Sequence, residues 1–139
     1  MAPLSGLPDE ALPVRSMEDV ALVRRAARSM ALAAGFDRAA SEAIVLSSVE
    51  LATNLVRYAP GGDIRIRLVT GERGTGLVVE SVDHGPGIGD LRLALQDGFS
   101  TGGGLGSGLP AVQRLMDEFE IESTDSGTRT VATLWLQRR

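Results

Sequence analysis

The sequence contains no cysteine and no lysine; all 14 of its basic residues are arginine. Without cysteine there is no disulfide framework, no thiolate zinc site and no cysteine nucleophile. Without lysine there is no P-loop, no strand lysine of ordinary protein kinases and no Schiff-base chemistry. His84 is the only histidine, which excludes histidine-cluster metal sites and leaves one residue for any Ser-His triad. Aromatics make up only 4% of the chain, so aliphatic side chains must build the core. No apolar run approaches the ~20 residues of a membrane span, and the first twelve residues show no basic n-region of a signal peptide. A net charge of −4 argues against nucleic-acid or anionic-membrane partners. The cytoplasm is the expected compartment.

What is present is an ordinary globular mix, 43% hydrophobic and 23% charged over 139 residues, enough for one domain and one core. Residues 1–12, with Pro3, Gly6 and Pro8, read as a flexible lead-in, and residues 13–139 as the single domain. Pro13-Val14-Arg15 is expected to form a short edge strand. Ser16 with Asp19 resembles a capping box and predicts a helix from Met17 to Gly35. Asp37 is the expected N-cap of a second helix reaching Tyr58, with Ile44, Ser48, Leu51 and Leu55 inward. Ser47, Glu50, Asn54 and Arg57 are expected as a polar stripe on roughly the opposite side.

The alternation Ile64-Arg65-Ile66-Arg67-Leu68 predicts a half-buried strand, and Leu77 to Val82 its hairpin partner. A short helix is expected over Asp90–Gln96. Gly98 to Gly108 holds six glycines in eleven residues and is expected to be mobile. Pro110 suits the first turn of a helix burying Leu109, Val112, Leu115, Met116 and Phe119. Ile121 to Ser123 and Thr130 to Leu136 then pair across a turn at Asp125-Ser126-Gly127. This order predicts an α+β fold, a two-layer sandwich whose mixed, mainly antiparallel sheet is covered by helices on one face.

Three clusters carry candidate chemistry. Glu50 and Asn54 lie one helical turn apart, a carboxylate that can take a proton beside an amide oxygen suited to Mg²⁺. Taken alone, the pair reads first as a solvated helix face. Asp83, at a strand end before Gly85, Gly87 and Ile88, can accept from an exocyclic amine or cap its own backbone. His84 beside it reads as a surface residue. The run Gly102-Gly103-Gly104-Leu105-Gly106-Ser107-Gly108-Leu109-Pro110 opens onto a helix and offers backbone N–H groups to an anion, or is simply a flexible loop.

In their joint order, Glu50-x-x-x-Asn54, Asp83-x-Gly85-x-Gly87, Gly104-x-Gly106-x-Gly108 and Gly127-Thr128 before a closing strand resemble the Bergerat-fold (GHKL) ATPases. That superfamily includes histidine kinases, gyrase B, Hsp90 and MutL. The resemblance runs from about Val14 to Leu136. The stretches Gln96-Asp97-Gly98-Phe99-Ser100-Thr101 and Arg114-Leu115-Met116-Asp117-Glu118-Phe119 look more like the RsbT-type switch kinases of bacterial partner-switching stress responses than like RsbW-type anti-sigma factors.

The resemblance implies ATP and Mg²⁺ as cofactors and a serine/threonine protein kinase activity. It implies Glu50 as general base, Asn54 as the Mg²⁺ ligand and Asp83 as acceptor for the adenine amine, supported by Thr128. Gly85, Gly87 and Ile88 would line the base pocket, and Gly104, Leu105, Gly106, Ser107, Gly108 and Leu109 would form the ATP lid. Some related kinases carry a basic residue in that lid. Here there is none, which leaves charge on the γ-phosphate to Mg²⁺, backbone donors and Arg57. The implied acceptor is a serine or threonine of a STAS-domain anti-sigma antagonist, with a PP2C-type phosphatase or a sigma factor as further partners. An anti-sigma factor or phosphatase-activating module in which nucleotide only sets conformation is the alternative, and a stand-alone ATPase or nucleotide-dead relative a third.

Overall fold

The structure, a computed structural model, describes residues 8–58, 61–85 and 108–136. Its elements run β1 (Asp9–Val14), α1 (Met17–Ala34), α2 (Arg38–Tyr58), β2 (Gly62–Gly71), β3 (Gly74–Asp83), α3 (Leu109–Leu115), β4 (Glu118–Thr124) and β5 (Gly127–Trp135). The helix expected over Asp90–Gln96 and the glycine segment as far as Ser107 lie outside the described residues.

Both long helices start at their expected caps. Ser16 Oγ accepts the Asp19 N–H at 3.4 Å, and the Asp19 carboxylate reaches back to the Arg15 N–H at 2.9 Å. The return bond falls one residue earlier than in a regular capping box. Asp37 Oδ1 accepts the Ala40 N–H at 2.8 Å. An Asp37→Ala variant orphans that amide at the start of α2 and is expected to lose about 1 kcal/mol, read as a lower denaturant midpoint with an unchanged m-value.

The strands form one sheet of order β1-β2-β3-β5-β4, antiparallel at every junction. Ile64, Ile66 and Leu68 point to one face and Arg65 and Arg67 to the other, as their alternation predicts. Leu77, Val79 and Ala132 join the first face and meet Val23, Ala27, Ile44, Leu51, Leu55 and Val112 from the three helices. Each fully buried aliphatic chain there contributes about 2 kcal/mol of burial. The other face carries no helix among the described residues. Ion pairs cover it: Asp9 with Arg65, and Glu80 between Arg67 and Arg129. The hydrogen bond from Arg65 holds the Asp9 carboxyl below its ordinary value. A small apolar cluster of Val69, Val78 and Trp135 completes that face.

Four expectations change. Strand β1 begins at Asp9, so residues 9–12, read as lead-in, pair with β2 from Asp9↔Arg67 to Leu12↔Ile64. Ser47 is fully buried, and its hydroxyl has no hydrogen-bond partner among the described residues. The buried arc of α2 is wider than a single sheet contact gives, because α1, α3 and the strands all pack on it. Helix α3 stops at Leu115, and Phe119 lies in β4; the Asp117 N–H donates to the Thr133 carbonyl at 2.9 Å and turns the chain into the sheet. Finally, α2 is long and apolar enough by length and composition to cross a membrane, although no such run was expected. Burial of Ile44, Val45, Leu51, Ala52 and Leu55 inside the fold gives it the placement of a core helix.

Candidate functional site

At one end of the sheet, register brings a row of residues together across neighbouring strands. Gly62 of β2 pairs with Asp83 of β3, Asp83 with Thr128 of β5, and Thr128 with Ser123 of β4. Directly opposed residues share a face. Counting by twos along each strand puts this row on the same face as Ile64, Val79, Ala132 and Phe119, which is the helix side. The next row inward holds Ser81 and Thr130, both buried. An otherwise aliphatic face therefore becomes hydroxyl- and carboxylate-bearing at this end.

The end of α2 lies over that row. Gly62 has no side chain because none fits: a β-carbon there would collide with the Val82 carbonyl oxygen and lie 2.9 Å from Leu55 Cδ2 and 3.2 Å from Asp83 Cα. Leu55 and Asp83 thus both reach Gly62, and Asn54, the residue before Leu55, belongs to the turn of α2 nearest the strand end. Glu50 and Asn54 are half-buried and Arg57 is exposed. They make no hydrogen bond or ion pair with other described residues.

Asp83 is half-buried, and its Oδ1 accepts the Gly85 N–H at 2.9 Å. It caps its own backbone, as one of the two expectations held, and its second oxygen is left for another donor. His84 is exposed and Gly85 buried. Thr128 Oγ1 lies 2.8 Å from Ser123 Oγ. Gly108 stands before α3 at φ 62° and Leu109 is buried. Gly87, Ile88, Gly104, Leu105, Gly106 and Ser107 lie outside the described residues.

Sequence reasoning missed Ser123, and also Gly62 and Gly127 as points of close approach. The signal was the turn. Two residues, Asp125 and Ser126, join Thr124 to Gly127, and that length alone sets Ser123 opposite Thr128. The expected three-residue turn moves the register by one, which sends every side chain to the other face.

The donor set fits a magnesium nucleotide. Asn54 offers a hard oxygen ligand beside the Glu50 carboxylate, and among the described residues no group of three or more His, Cys, Asp or Glu could hold a metal by itself. Mg²⁺ is usually held by one or two protein oxygens together with substrate phosphates, and this sparse set matches that habit. A separate open depression of about 370 Å³ between α1 and α2, lined by Arg28, Leu32, Arg38, Ser41 and Glu42, lies toward the other end of α2. Two of its three charged residues are already engaged with each other, Arg28 with Glu42 at 3.2 Å.

Residues 14–134 match the family described as "Histidine kinase-like ATPase domain". The chain belongs to the histidine kinase-like ATPase family. It is 42% identical over 120 residues to "Serine/threonine-protein kinase RsbT" of Bacillus subtilis (strain 168), covering 86% of this chain and 90% of that protein. Among solved structures it resembles the crystal structure of the RsbU and RsbW domains of Rv1364c from Mycobacterium tuberculosis, with a TM-score of 0.67 and 20% identity. That match covers 95% of this chain, which spans only 33% of the solved one, and it speaks for the fold alone. The expected α+β ATPase fold and the expected kinship with RsbT-type kinases are both met.

Proposed function

We propose that this member of the histidine kinase-like ATPase family is an ATP-dependent protein serine/threonine kinase that phosphorylates a STAS-domain antagonist in a cytoplasmic partner-switching cascade. The reading is carried by one observation: 42% identity to a serine/threonine-protein kinase across 120 residues, with Glu50 and Asn54 both in place.

In this reading adenine sits on the Gly62–Asp83–Thr128 end of the sheet, where the free oxygen of Asp83 accepts its amine. Gly85, Gly87 and Ile88 line the base, and Gly104 to Leu109 close over the phosphates. Asn54 would hold Mg²⁺, which when bound neutralises charge on the phosphate oxygens. Glu50, one turn away, takes the proton from the acceptor hydroxyl as its oxygen attacks the γ-phosphorus and the bond to ADP breaks. Arg57, exposed beyond Asn54, supplies the cation that the lid lacks.

Incubating the full chain with γ-labelled Mg-ATP and a STAS-domain antagonist protein tests the reading. Label is expected on a serine or threonine of that protein, together with release of ADP. Retention of a sigma factor or a PP2C-type phosphatase, with no label transferred, would replace the kinase by a binding module.

A further inference from the structure

Helix α2 buries three serines, and two of them satisfy their hydroxyls on the backbone. Ser41 donates to the Phe36 carbonyl at 3.3 Å and Ser48 to the Ile44 carbonyl at 2.7 Å. Ser47 does neither. It is 0% exposed, and its hydroxyl is the one buried side-chain polar atom without a hydrogen-bond partner among the described residues. A serine inside a helix can always turn back to the carbonyl four residues earlier, as Ser48 does, so the Ser47 hydroxyl is turned away from a bond within its reach. A buried polar group in that state is destabilising and points to a use outside the resting fold.

The unpartnered acceptor one turn on is Glu50. Residues three apart on a helix are neighbours on one face. Helical side chains also lean toward the N-terminus, over the turn that precedes their own Cα, so Glu50 reaches back over the turn that carries Ser47. Glu50 is half-buried and makes no hydrogen bond or ion pair with other described residues. A donor without an acceptor and a carboxylate without a donor therefore stand one turn apart, on the stripe that continues to Asn54.

We infer that Ser47 is a positioning residue for the general base: its hydroxyl donates to one oxygen of the Glu50 carboxylate and leaves the other aimed at the acceptor hydroxyl. The bond closes once nucleotide fills the site, as catalytic hydrogen bonds that are long or misaligned in the free enzyme commonly do. Burial on the Ser47 side keeps water from competing for it, and a hydrogen bond to a charged group is strong there. Ser47 touches neither nucleotide nor acceptor. The inference rests on the proposed role of Glu50.

Three readouts on the full chain test it. They are single-turnover transfer from γ-labelled Mg-ATP to a STAS-domain antagonist protein, Mg-ADP affinity by calorimetry, and, in the Mg-ADP complex, the carboxyl carbon-13 signal that Glu50→Gln removes. Ser47→Ala is expected to slow transfer about tenfold, the worth of one hydrogen bond to a charged group, with Mg-ADP affinity within about twofold of the parent. The Glu50 carboxyl signal is expected to move in the same variant. Its melting temperature is expected to be equal or higher, because alanine removes a buried hydroxyl without a partner and is the stronger helix former. Ser47→Cys keeps nearly the same size with only a weak donor, and the same slowing is expected of it. In a Glu50→Ala background, Ser47→Ala is expected to cause no further loss of rate. A slowing that multiplies with Glu50→Ala, a Ser47→Ala chain that melts lower, or a Glu50 signal that stays in place would each overturn the inference and leave Ser47 a packing residue. The two levels separate. Transfer by Glu50→Gln at the parental rate removes the base and the role of Ser47 with it; if Glu50→Gln is slow and Ser47→Ala matches the parent, only the role of Ser47 falls.

Discussion

Replacing Glu50 by alanine is expected to slow phosphoryl transfer by about a hundred- to a thousandfold while Mg-ADP affinity changes by less than about twofold. General-base assistance spans roughly two to four orders of magnitude, and a loose transition state asks little proton transfer of its base, which favours the lower part of that range. Binding is spared because Glu50 makes no hydrogen bond or ion pair with other described residues that its removal would break. It is half-buried on a helix whose buried residues include Leu51 and Ala52, so truncation to a strong helix former leaves α2 intact. Glu50→Gln keeps the shape and loses the charge, and a similar rate loss is expected. Single-turnover labelling measures the rate and calorimetry the affinity. Undiminished transfer by both variants would remove Glu50 from the chemistry.

A Gly127→Ala substitution carries the largest expected stability cost, about 3 kcal/mol, because two penalties coincide there. The residue has φ 145°, where an L-residue is strained by about 1–2 kcal/mol. Its β-carbon would also collide with the Asp83 carbonyl oxygen and lie 3.0 Å from His84 Cα, an overpacking worth about 1–3 kcal/mol. A loss of that size lowers the melting temperature by roughly 10 °C in a domain of this length. Gly35→Ala is the control, since φ there is 99° and nothing lies within 4 Å of an added β-carbon. Strain acts alone at that position, and about 1 kcal/mol is expected. ADP affinity should fall with Gly127→Ala and not with Gly35→Ala, because only the first displaces the backbone of Asp83. Equal melting temperatures for the two variants would show that β5 yields without cost.

The long helices and the first hairpin were legible because their signals are local. Ser16 and Asp37 satisfy amides three residues on, whatever the rest of the chain does. The β2–β3 hairpin follows from the alternation of Ile64 to Leu68 and the apolar start of Leu77 to Val82. The turn between the strands is Glu72-Arg73 alone where Glu72 to Gly76 was expected, because Gly74, Thr75 and Gly76 pair with Gly71, Thr70 and Val69. The segment after Leu115 was not legible. Leu115, Met116 and Phe119 repeat at helical spacing, yet Asp117 both donates its N–H to Thr133 and accepts the Trp135 N–H at 2.9 Å, bonds to a strand nearly twenty residues away. Such distant partners leave no trace in a short window, and they end the helix.

The site divides along the same line. Glu50 and Asn54 are neighbours by helical pitch alone, and Asp83 with its glycines is a strand-to-loop junction by composition, so both could be read before any fold was known. That Gly62, Asp83, Thr128 and Ser123 stand in one row, beneath the turn of α2 carrying Leu55, was decided only when four strands paired in register. Residue types and local spacing fix which chemistry a segment can offer. Which offers meet depends on strand order and on a turn length whose change by one residue reverses a strand's faces, and those are set by packing against the shared core.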